Sequence, residues 1–305
     1  MNGAESKGVS ESQKHIPVLL KESIEGLNLK KNSLVMDVTA DGGGHLGAIL
    51  EKLGKNGKII ALDWDPEMIT RLQKKFGREQ RVKIFNLNFR FLEKLASTLA
   101  AAWRRPDAIF FDLGLSTLQL MASGRGFSFQ KTEPLLMTFE PSRTIDARKL
   151  VNEENEKTLA DIIFRYGEER FSRRIAKAIV NARRIKKIET SNELAQIILR
   201  AVGRRGKIHP ATKTFQALRI YLNEELLNLE EGLKGAFKIL KPQGRIAVIS
   251  FHSLEDRIVK NYFRERAREG SAKLITKKPK RPGEGEVALN PSARSSKLRI
   301  LEKIC

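Results

Sequence analysis

The segment LVMDVTADGGGHLGAILEKLGKNGKIIALDWDP, residues 34–66, decides the fold. It holds the first two of four apolar, β-branched runs, whose starts lie 24, 24 and 25 residues apart: Leu34–Val38, Lys58–Asp63, Val82–Asn86 and Asp107–Asp112. Helix-like stretches lie between them, at His45–Leu53, Pro66–Phe76 and Phe89–Trp103. Strands that alternate with helices at this spacing are typical of βαβ units. The sequence therefore predicts a Rossmann-like α/β domain with a parallel sheet.

The alternation stops after Asp112, and for more than a hundred residues only helical periodicity follows. A fifth strand is predicted at Arg245–Ser250, and a helix from Ser253 to about Arg268 whose opening residues resemble a capping box with Ser253 as the cap. Two extended segments, 273–276 and 297–304, are expected to pair as an antiparallel edge. The predicted organisation is a disordered tail at 1–14, a Rossmann-like domain formed by 15–120 and 226–305, and a helical insertion at 121–225.

Composition limits the function of the chain. The 305 residues contain no run of about 18 apolar residues, and residues 1–14 lack the apolar core of a secretory signal, so we expect a cytosolic protein without a membrane partner. The only cysteine, Cys305, excludes an internal disulfide and a cysteine-based zinc site. The net charge of +21 favours polyanions, nucleic acid first among them.

The loop after the first strand contains candidate ligand-binding residues. Gly42, Gly44 and Gly47 satisfy the pattern G-x-G-x-x-G, which suits NAD, FAD or S-adenosylmethionine, although a tight strand-to-helix turn can need glycines without any ligand. Asp63, about twenty residues further on, is placed to accept hydrogen bonds from ribose hydroxyls. Asp65, followed by proline, is interpreted as a helix N-cap.

Two further candidates follow the third and fourth strands. Phe89 could lie against an adenine ring or belong to the core. Asp112 ends the fourth strand, at the edge of a parallel sheet where ligands bind, and could instead cap the next helix.

Nine motifs together resemble one family, the bacterial 16S ribosomal RNA cytosine-N4 methyltransferases, over nearly the whole chain from His15. The motifs are HIPVL at 15–19, GGH at 43–45, DWDP at 63–66, DLG at 112–114, RGFSF at 125–129, YGEER at 166–170, HPATKTFQALRI at 209–220, SFHSLEDRIVK at 250–260 and NPSARSSKLR at 290–299.

The resemblance implies a class I methyltransferase domain interrupted by a helical domain, with S-adenosyl-L-methionine as cofactor. It implies methylation of the exocyclic amine of a cytosine in the decoding region of 16S rRNA, within the small ribosomal subunit. Carried over to this sequence, seven residues would line the cofactor site: Gly43, Gly44, His45, Asp63, Phe89, Asp112 and Gln119.

The chain departs from the family pattern at three places. Asp41 stands where the family usually has glycine, and Met121 stands where the family has an aspartate after the cofactor glutamine. Residues 132–140, TEPLLMTFE, lack several acidic positions and an arginine, with Leu136 replacing one aspartate.

Methyl transfer to an amine needs positioning and a proton acceptor, and no metal ion. Asp112, or the stretch 115–117, is the candidate acceptor for the cytosine N–H. His209 and His252 are candidates for the substrate pocket. His209 has the alternative of a structural role at a helix start, whereas the cap near His252 is assigned to Ser253.

Substrate RNA is expected to bind the helical insertion. Residues 165–220 contain fifteen lysines and arginines and four acidic residues, including the pair Arg183 and Arg184, whose charge reversal should weaken RNA binding. The alternative is an ordinary solvated face. A second basic stretch, KKPKR at 277–281, lies in a predicted loop that is expected to order only on the ribosomal particle.

Two other functions compete with this one. An NAD-dependent oxidoreductase would explain the glycine pattern but neither the charge nor the insertion. A non-catalytic RNA-binding or ribosome-assembly factor would keep the fold without the activity. The sequence indicates no oligomeric state.

Overall fold

A computed structural model describes residues 17–103, 105–140, 143–203 and 209–305. The predicted tail at 1–14, His15 and the pair Arg204-Arg205 lie outside the described residues, as do the side chains of Thr117 and Met121.

The described chain forms a seven-stranded sheet of order β3-β2-β1-β4-β5-β7-β6. The first five strands are parallel, and β7 runs antiparallel between β5 and β6. Each predicted strand, including the antiparallel edge, is confirmed to within one or two residues. The strands are β1 (Leu34–Asp37), β2 (Lys58–Asp63), β3 (Val82–Asn86), β4 (Ala108–Asp112), β5 (Arg245–Ser250), β6 (Ala272–Leu274) and β7 (Lys297–Lys303).

Helices cover both faces of the sheet, which is why its central strands β1 and β4 are apolar up to the aspartate at their carboxyl ends. On one face lie α1 (Leu20–Leu27), α2 (Gly44–Lys52) and α3 (Pro66–Phe76). On the other lie α4 (Leu92–Thr98), α11 (Glu225–Ile239) and α12 (Ser253–Arg268). The predicted helix 89–103 is broken: α4 is flanked by 3₁₀ turns at Phe89–Phe91 and Ala101–Trp103. Leu99 ends α4 with an extended backbone while its side chain stays in the core.

Between β4 and β5 the described residues contain helices and one isolated bridge, Pro134 to Thr190, but no strand. The helices form an apolar core of their own. The predicted boundary at 120/121 falls inside the first of them, so the division of the chain into domains stays a prediction. The helices are α5 (Thr117–Ala122), α6 (Ala147–Glu153), α7 (Glu156–Gly167), α8 (Ser172–Ile185), α9 (Ser191–Val202) and α10 (Thr212–Leu222).

The segment before β7 is more structured than predicted. It contains α13 (Glu284–Leu289) and a 3₁₀ turn at Pro291–Ser295. Lys280 exchanges two backbone hydrogen bonds with Leu298, and Glu286 Oε1 accepts the Leu19 N–H at 2.6 Å. The expectation that 277–281 orders only on a ribosomal particle is wrong, because the chain itself supplies these bonds.

None of the helices in the described ranges is long and apolar enough to cross a membrane.

Candidate active site

A cavity of about 550 Å³ lies beyond the carboxyl ends of the parallel strands, where open α/β sheets bind ligands. Residues that follow the strands line one side, here called the sheet-tip wall: Thr39, Asp41, Asp63, Asn88, Phe89, Asp112 and Gln119. Residues from the helical segment line the other side, here called the aromatic wall: Phe127, Phe129, Met137, Phe139 and Phe215. Asp63, Phe89, Asp112 and Gln119 are therefore brought together as predicted.

Gly43 and Gly44, predicted to line the cofactor site, are not among the residues that line the cavity. They determine the path of the loop that carries the sheet-tip wall. Gly43 has a left-handed φ of 74°, and a Cβ there would lie 2.5 Å from Phe76. A Cβ on Gly44 would lie 2.6 Å from Pro17. These glycines let the turn pack against neighbouring side chains. Asp41 also has a left-handed φ, 43°, which explains why glycine is the usual residue of the similar family at this position.

His45 lies beneath the loop rather than on the cavity wall. It is 6% exposed, with Nε2 3.0 Å from the Val18 carbonyl oxygen and Nδ1 3.3 Å from Asp112 Oδ2. Both partners can only accept hydrogen bonds, so the geometry favours a proton on each ring nitrogen. Burial opposes the charged ring, but the Asp112 carboxylate outweighs burial and raises the pKa of His45. His45 therefore holds Asp112 in place through the contact between Nδ1 and Oδ2.

The pairing of Asp112 leaves one of its oxygens available. Oδ2 faces His45, and the backbone N–H of Asp112 donates to Thr39 Oγ1 at 2.6 Å. The buried Oδ1 has no hydrogen-bond partner among the residues described. A buried acceptor of this kind, in a residue that lines a cavity, is suited to a ligand N–H or O–H.

Asp63 accepts two backbone hydrogen bonds, from Asp41 and Asp65, each at 2.9 Å. Burial raises its pKa to about 7 because the charged carboxylate loses water, and the two N–H groups offset this only in part. Its titration therefore falls in the physiological range.

Asp65 caps α3 as predicted, because its Oδ1 accepts the Glu67 N–H. The residue is only 1% exposed, and it has two further partners that the sequence did not indicate. Its Oδ2 accepts hydrogen bonds from Gln119 Nε2, at 2.9 Å, and from the Arg125 guanidinium. Gln119 Oε1 in turn accepts the Ser116 N–H, so both ends of the Gln119 amide are hydrogen-bonded to the protein. Arg125 is the first residue of the RGFSF motif, and that motif was the only feature of the sequence that could have drawn attention to this ion pair.

Phe89 joins the sheet-tip wall to α11. Its ring meets Phe111 edge-on at 5.5 Å, and a Cβ on Gly232 would lie 2.5 Å from its Cδ2. The ring packs on the core and also lines the cavity, and its contact with an adenine stays a prediction.

The aromatic wall is a set of stacked rings. Phe139 lies 5.1 Å from Trp64 and 5.3 Å from Phe127. His209 stacks on Phe129 at 4.4 Å with an interplanar angle of 20°, and its Nδ1 accepts the Ala211 N–H. His209 thus supports the wall from behind. Spacing along the chain could not show that these rings meet.

The predicted Ser253 cap is wrong, because His252 caps α12. His252 Nδ1 accepts the Glu255 N–H, while Glu255 Oε2 accepts the His252 and Phe251 N–H groups. Asp256, the partner expected for Ser253, instead binds Lys297 and Arg299 at 3.0 and 2.6 Å.

His252 also belongs to a charged cluster in the cavity that the sequence did not reveal. Ligand atoms of Glu225, His252 and Glu255 lie within 4.8 Å of one another, a spacing that could hold a metal ion. Arg219 already binds Glu225 through two hydrogen bonds of 2.8 and 2.9 Å. Burial raises the pKa of Glu225 despite this pairing. For Glu255, the charge and hydrogen bond of His252 outweigh burial and lower the pKa.

The two candidate RNA-binding arginines differ. Arg183 is half-buried and donates to the Val151 carbonyl at 2.8 Å, which ties α8 to the end of α6. Arg184 is exposed. Only Arg184 can be replaced without breaking an internal bond that the structure shows.

The sheet order, the antiparallel β7 and the cavity at the strand ends define a class I S-adenosylmethionine-dependent methyltransferase fold. Within that class, residues 12–304 match the MraW methylase family, and the chain belongs to it. The chain is therefore a methyltransferase, and the NAD-dependent alternative is wrong.

Two relatives of similar sequence agree with this family. The "Ribosomal RNA small subunit methyltransferase H" of Coprothermobacter proteolyticus is 45% identical over 95% of this chain and 96% of its own length. The protein of the same name from Dehalococcoides mccartyi is 43% identical over 95% of this chain and 86% of its own. Among solved structures, an rRNA methylase from Streptococcus thermophilus aligns over 94% of both chains with a TM-score of 0.44 and 11% identity. NSun6 from Pyrococcus horikoshii aligns over 98% of this chain and 57% of its own, with a TM-score of 0.46 and 14% identity.

Proposed function

We propose that this methyltransferase methylates the exocyclic N4 amine of a cytosine in the decoding region of 16S rRNA. The observation that carries the proposal is the His45–Asp112 pair, which presents a buried acceptor atom in a cavity large enough for a cofactor and a base. The family and the rRNA methyltransferase names of its relatives support the substrate class.

The residues of the sheet-tip wall fit S-adenosylmethionine, which supplies a methyl group on a sulfonium. Asp63 is placed to accept hydrogen bonds from ribose hydroxyls, and Phe89 offers a ring face for adenine. Gly43 and Gly44 shape the loop, His45 fixes Asp112, and Gln119 fixes Asp65. Of the seven residues implied by the family resemblance, four thus act through packing or through a neighbour.

Asp112 is the proposed catalytic residue. The lone pair of a cytosine amine is delocalised into the ring, so an acceptor that binds one N–H favours a pyramidal nitrogen and receives the departing proton. Asp112 Oδ1 is a buried acceptor without a protein partner in the part of the chain described. No metal-dependent step is needed for this role.

The aromatic wall is the proposed site of the target base. Phe127 and Phe139 lie face to face, and Phe129 is held between His209 and Phe215. Stacking on such rings compensates for the few kcal/mol that unstacking a base from RNA costs. His252 and its charged neighbours Glu225 and Glu255 line the same cavity, and we propose that they contact the edge of the base.

The helical segment is the proposed RNA-binding surface, and the proposed partner is 16S rRNA within the small ribosomal subunit, in the cytoplasm. Exposed cations such as Arg184, Lys186 and Lys187 lie at the end of α8. Phosphate neutralisation by such groups gives affinity that falls steeply with salt. We also propose that 121–225 acts as the substrate-recognition insertion and that 15–120 with 226–305 forms the methyltransferase domain.

A methylation assay on small subunits that lack the modification tests the proposal. Mass spectrometry of the digested 16S rRNA should place one new methyl group on the N4 of a cytosine in the decoding region. No transfer to any rRNA nucleotide would favour a non-catalytic assembly factor, and a methyl group on another atom would refute the proposed substrate.

A further inference from the structure

The Asn228 amide in α11 has a hydrogen-bonding capacity that the described protein uses only in part. The residue is 2% exposed and lines the cavity. Its Nδ2 donates to the Asn223 carbonyl at 2.9 Å, which identifies the other end of the amide as the oxygen, because a carbonyl can only accept. Within the described ranges that oxygen, Oδ1, has no hydrogen-bond partner.

Asn228 lies next to Phe89. Asn228 and Gly232 are four residues apart and therefore occupy the same face of α11. Gly232 contacts the Phe89 ring so closely that a Cβ there would lie 2.5 Å from Cδ2. The unused oxygen thus belongs to the helix face that meets the aromatic ring of the sheet-tip wall.

The surroundings of Asn228 suit a flat base with a hydrogen-bond donor on its edge. Leu87, Phe89 and Leu229 are apolar neighbours in the cavity lining. Asn88 lines it too, but its Oδ1 already accepts the Arg90 N–H at 2.9 Å. Adenine has two apolar faces and an exocyclic amine that donates hydrogen bonds.

We propose that Asn228 Oδ1 accepts a hydrogen bond from the exocyclic amine of the cofactor's adenine, and that it makes the site selective for bases with a donor at that position. The inference rests on the proposed placement of the cofactor on the sheet-tip wall. A site built to bind a donor rejects a ligand that lacks it, because its own polar group then stays unpaired.

Calorimetric titration tests this with two ligands, S-adenosylhomocysteine and its analogue with hydrogen in place of the adenine amine. The wild-type protein should bind the analogue roughly thirty-fold more weakly. In Asn228→Leu the ratio of the two Kd values should fall to about three or less, while Asn228→Asp, which keeps an acceptor, should preserve it. Asn152→Leu, in α6 and outside the cavity lining, is the control and should leave the ratio unchanged.

A purely structural role of Asn228 would weaken both ligands equally, so an unchanged ratio in Asn228→Leu overturns the proposal. Equal affinity of the wild-type protein for both ligands overturns it without any variant, even if Asn228→Leu does not fold. If S-adenosylhomocysteine itself fails to bind, the cofactor placement is refuted as well, which separates the two claims.

Discussion

The sheet-tip wall and the aromatic wall face the same cavity, but their side chains are held in different ways. On the sheet-tip wall, Asp63 is fixed by backbone N–H groups and Asp112 by a buried histidine. On the aromatic wall, Phe127, Phe129 and Phe139 are held by contacts with other rings. The first arrangement fixes the position of acceptor atoms, whereas the second provides a surface for stacking that tolerates small shifts. The difference suits a chemically reacting group on one side and a base delivered from RNA on the other.

The largest effect is expected from Asp112→Asn, which removes the proton acceptor but keeps the size of the side chain. Turnover should fall about a thousand-fold, within the usual range for loss of an acid–base group, as measured in single-turnover methylation of small subunits. Asp41→Asn is the matched control, because the similar family usually has glycine there, and should change turnover less than about three-fold. An equal decrease in turnover in the two variants would show that Asp112 is not the proton acceptor.

The second-largest effect concerns the unfolding free energy, which should depend more on the buried Asp65–Arg125 pair than on a surface pair. Arg125→Met leaves the 1% exposed Asp65 without its guanidinium partner, and breaking a buried pair costs about 3 kcal/mol of unfolding free energy. Arg81→Met breaks a surface pair with Glu79 and should cost less than about 1 kcal/mol. Urea unfolding measures both. A cost for Arg125→Met no greater than that for Arg81→Met would show that the buried ion pair contributes no more to stability than the surface pair.

The affinity for the cofactor should depend on pH because Asp63, on the sheet-tip wall, gains or loses a proton. Burial raises the pKa of Asp63 to about 7, so the free protein carries a protonated Asp63 below that pH, whereas ribose hydroxyls favour the ionised form. Binding must then release a proton, and affinity for S-adenosylhomocysteine should rise about ten-fold from about pH 6 to pH 8.

Asp63→Asn should bind more weakly and lose this pH dependence. Burial also raises the pKa of Asp37 to about 7, but Asp37 is not among the residues that line the cavity, so it should not produce the effect. A pH dependence that persists in Asp63→Asn would contradict the assignment.

The smallest effect concerns the helical segment. Arg184→Gln should weaken RNA binding about three-fold and reduce the slope of log K against log salt by about one, because one phosphate contact is lost. Arg71→Gln removes an exposed arginine from α3 on the other part of the molecule and should change neither quantity. Fluorescence anisotropy at several salt concentrations measures both. Identical slopes for the two variants would place the RNA elsewhere.

The sequence predicted the sheet-tip wall better than the aromatic wall, and the reason is physical. Strand ends and caps are local features, so Asp63, Asp65 and Asp112 could be placed from their neighbours in the chain. The pairing of Phe129 with His209, or of Asp65 with Arg125, joins residues far apart in sequence, and no periodicity reports such contacts.

Local patterns also had limits of their own. The spacing S-x-x-D at Ser253 was a plausible cap, but Asp256 is recruited by two cations of β7, and the cap moves back one residue to His252. The glycines of the pattern G-x-G-x-x-G indicated close approach to a ligand, whereas Gly44 of that pattern is required by contact with Pro17. In both places a tertiary contact decided between two local possibilities.

The account depends most directly on where the adenosyl group lies, and a crystal structure of the complex with S-adenosylhomocysteine shows this. The account predicts ribose hydroxyls on Asp63, adenine against Phe89 and the sulfur on the Asp112 side of the cavity, with the aromatic wall left open for a base. An adenosyl group stacked on Phe127 and Phe139, or bound outside the cavity, would contradict it.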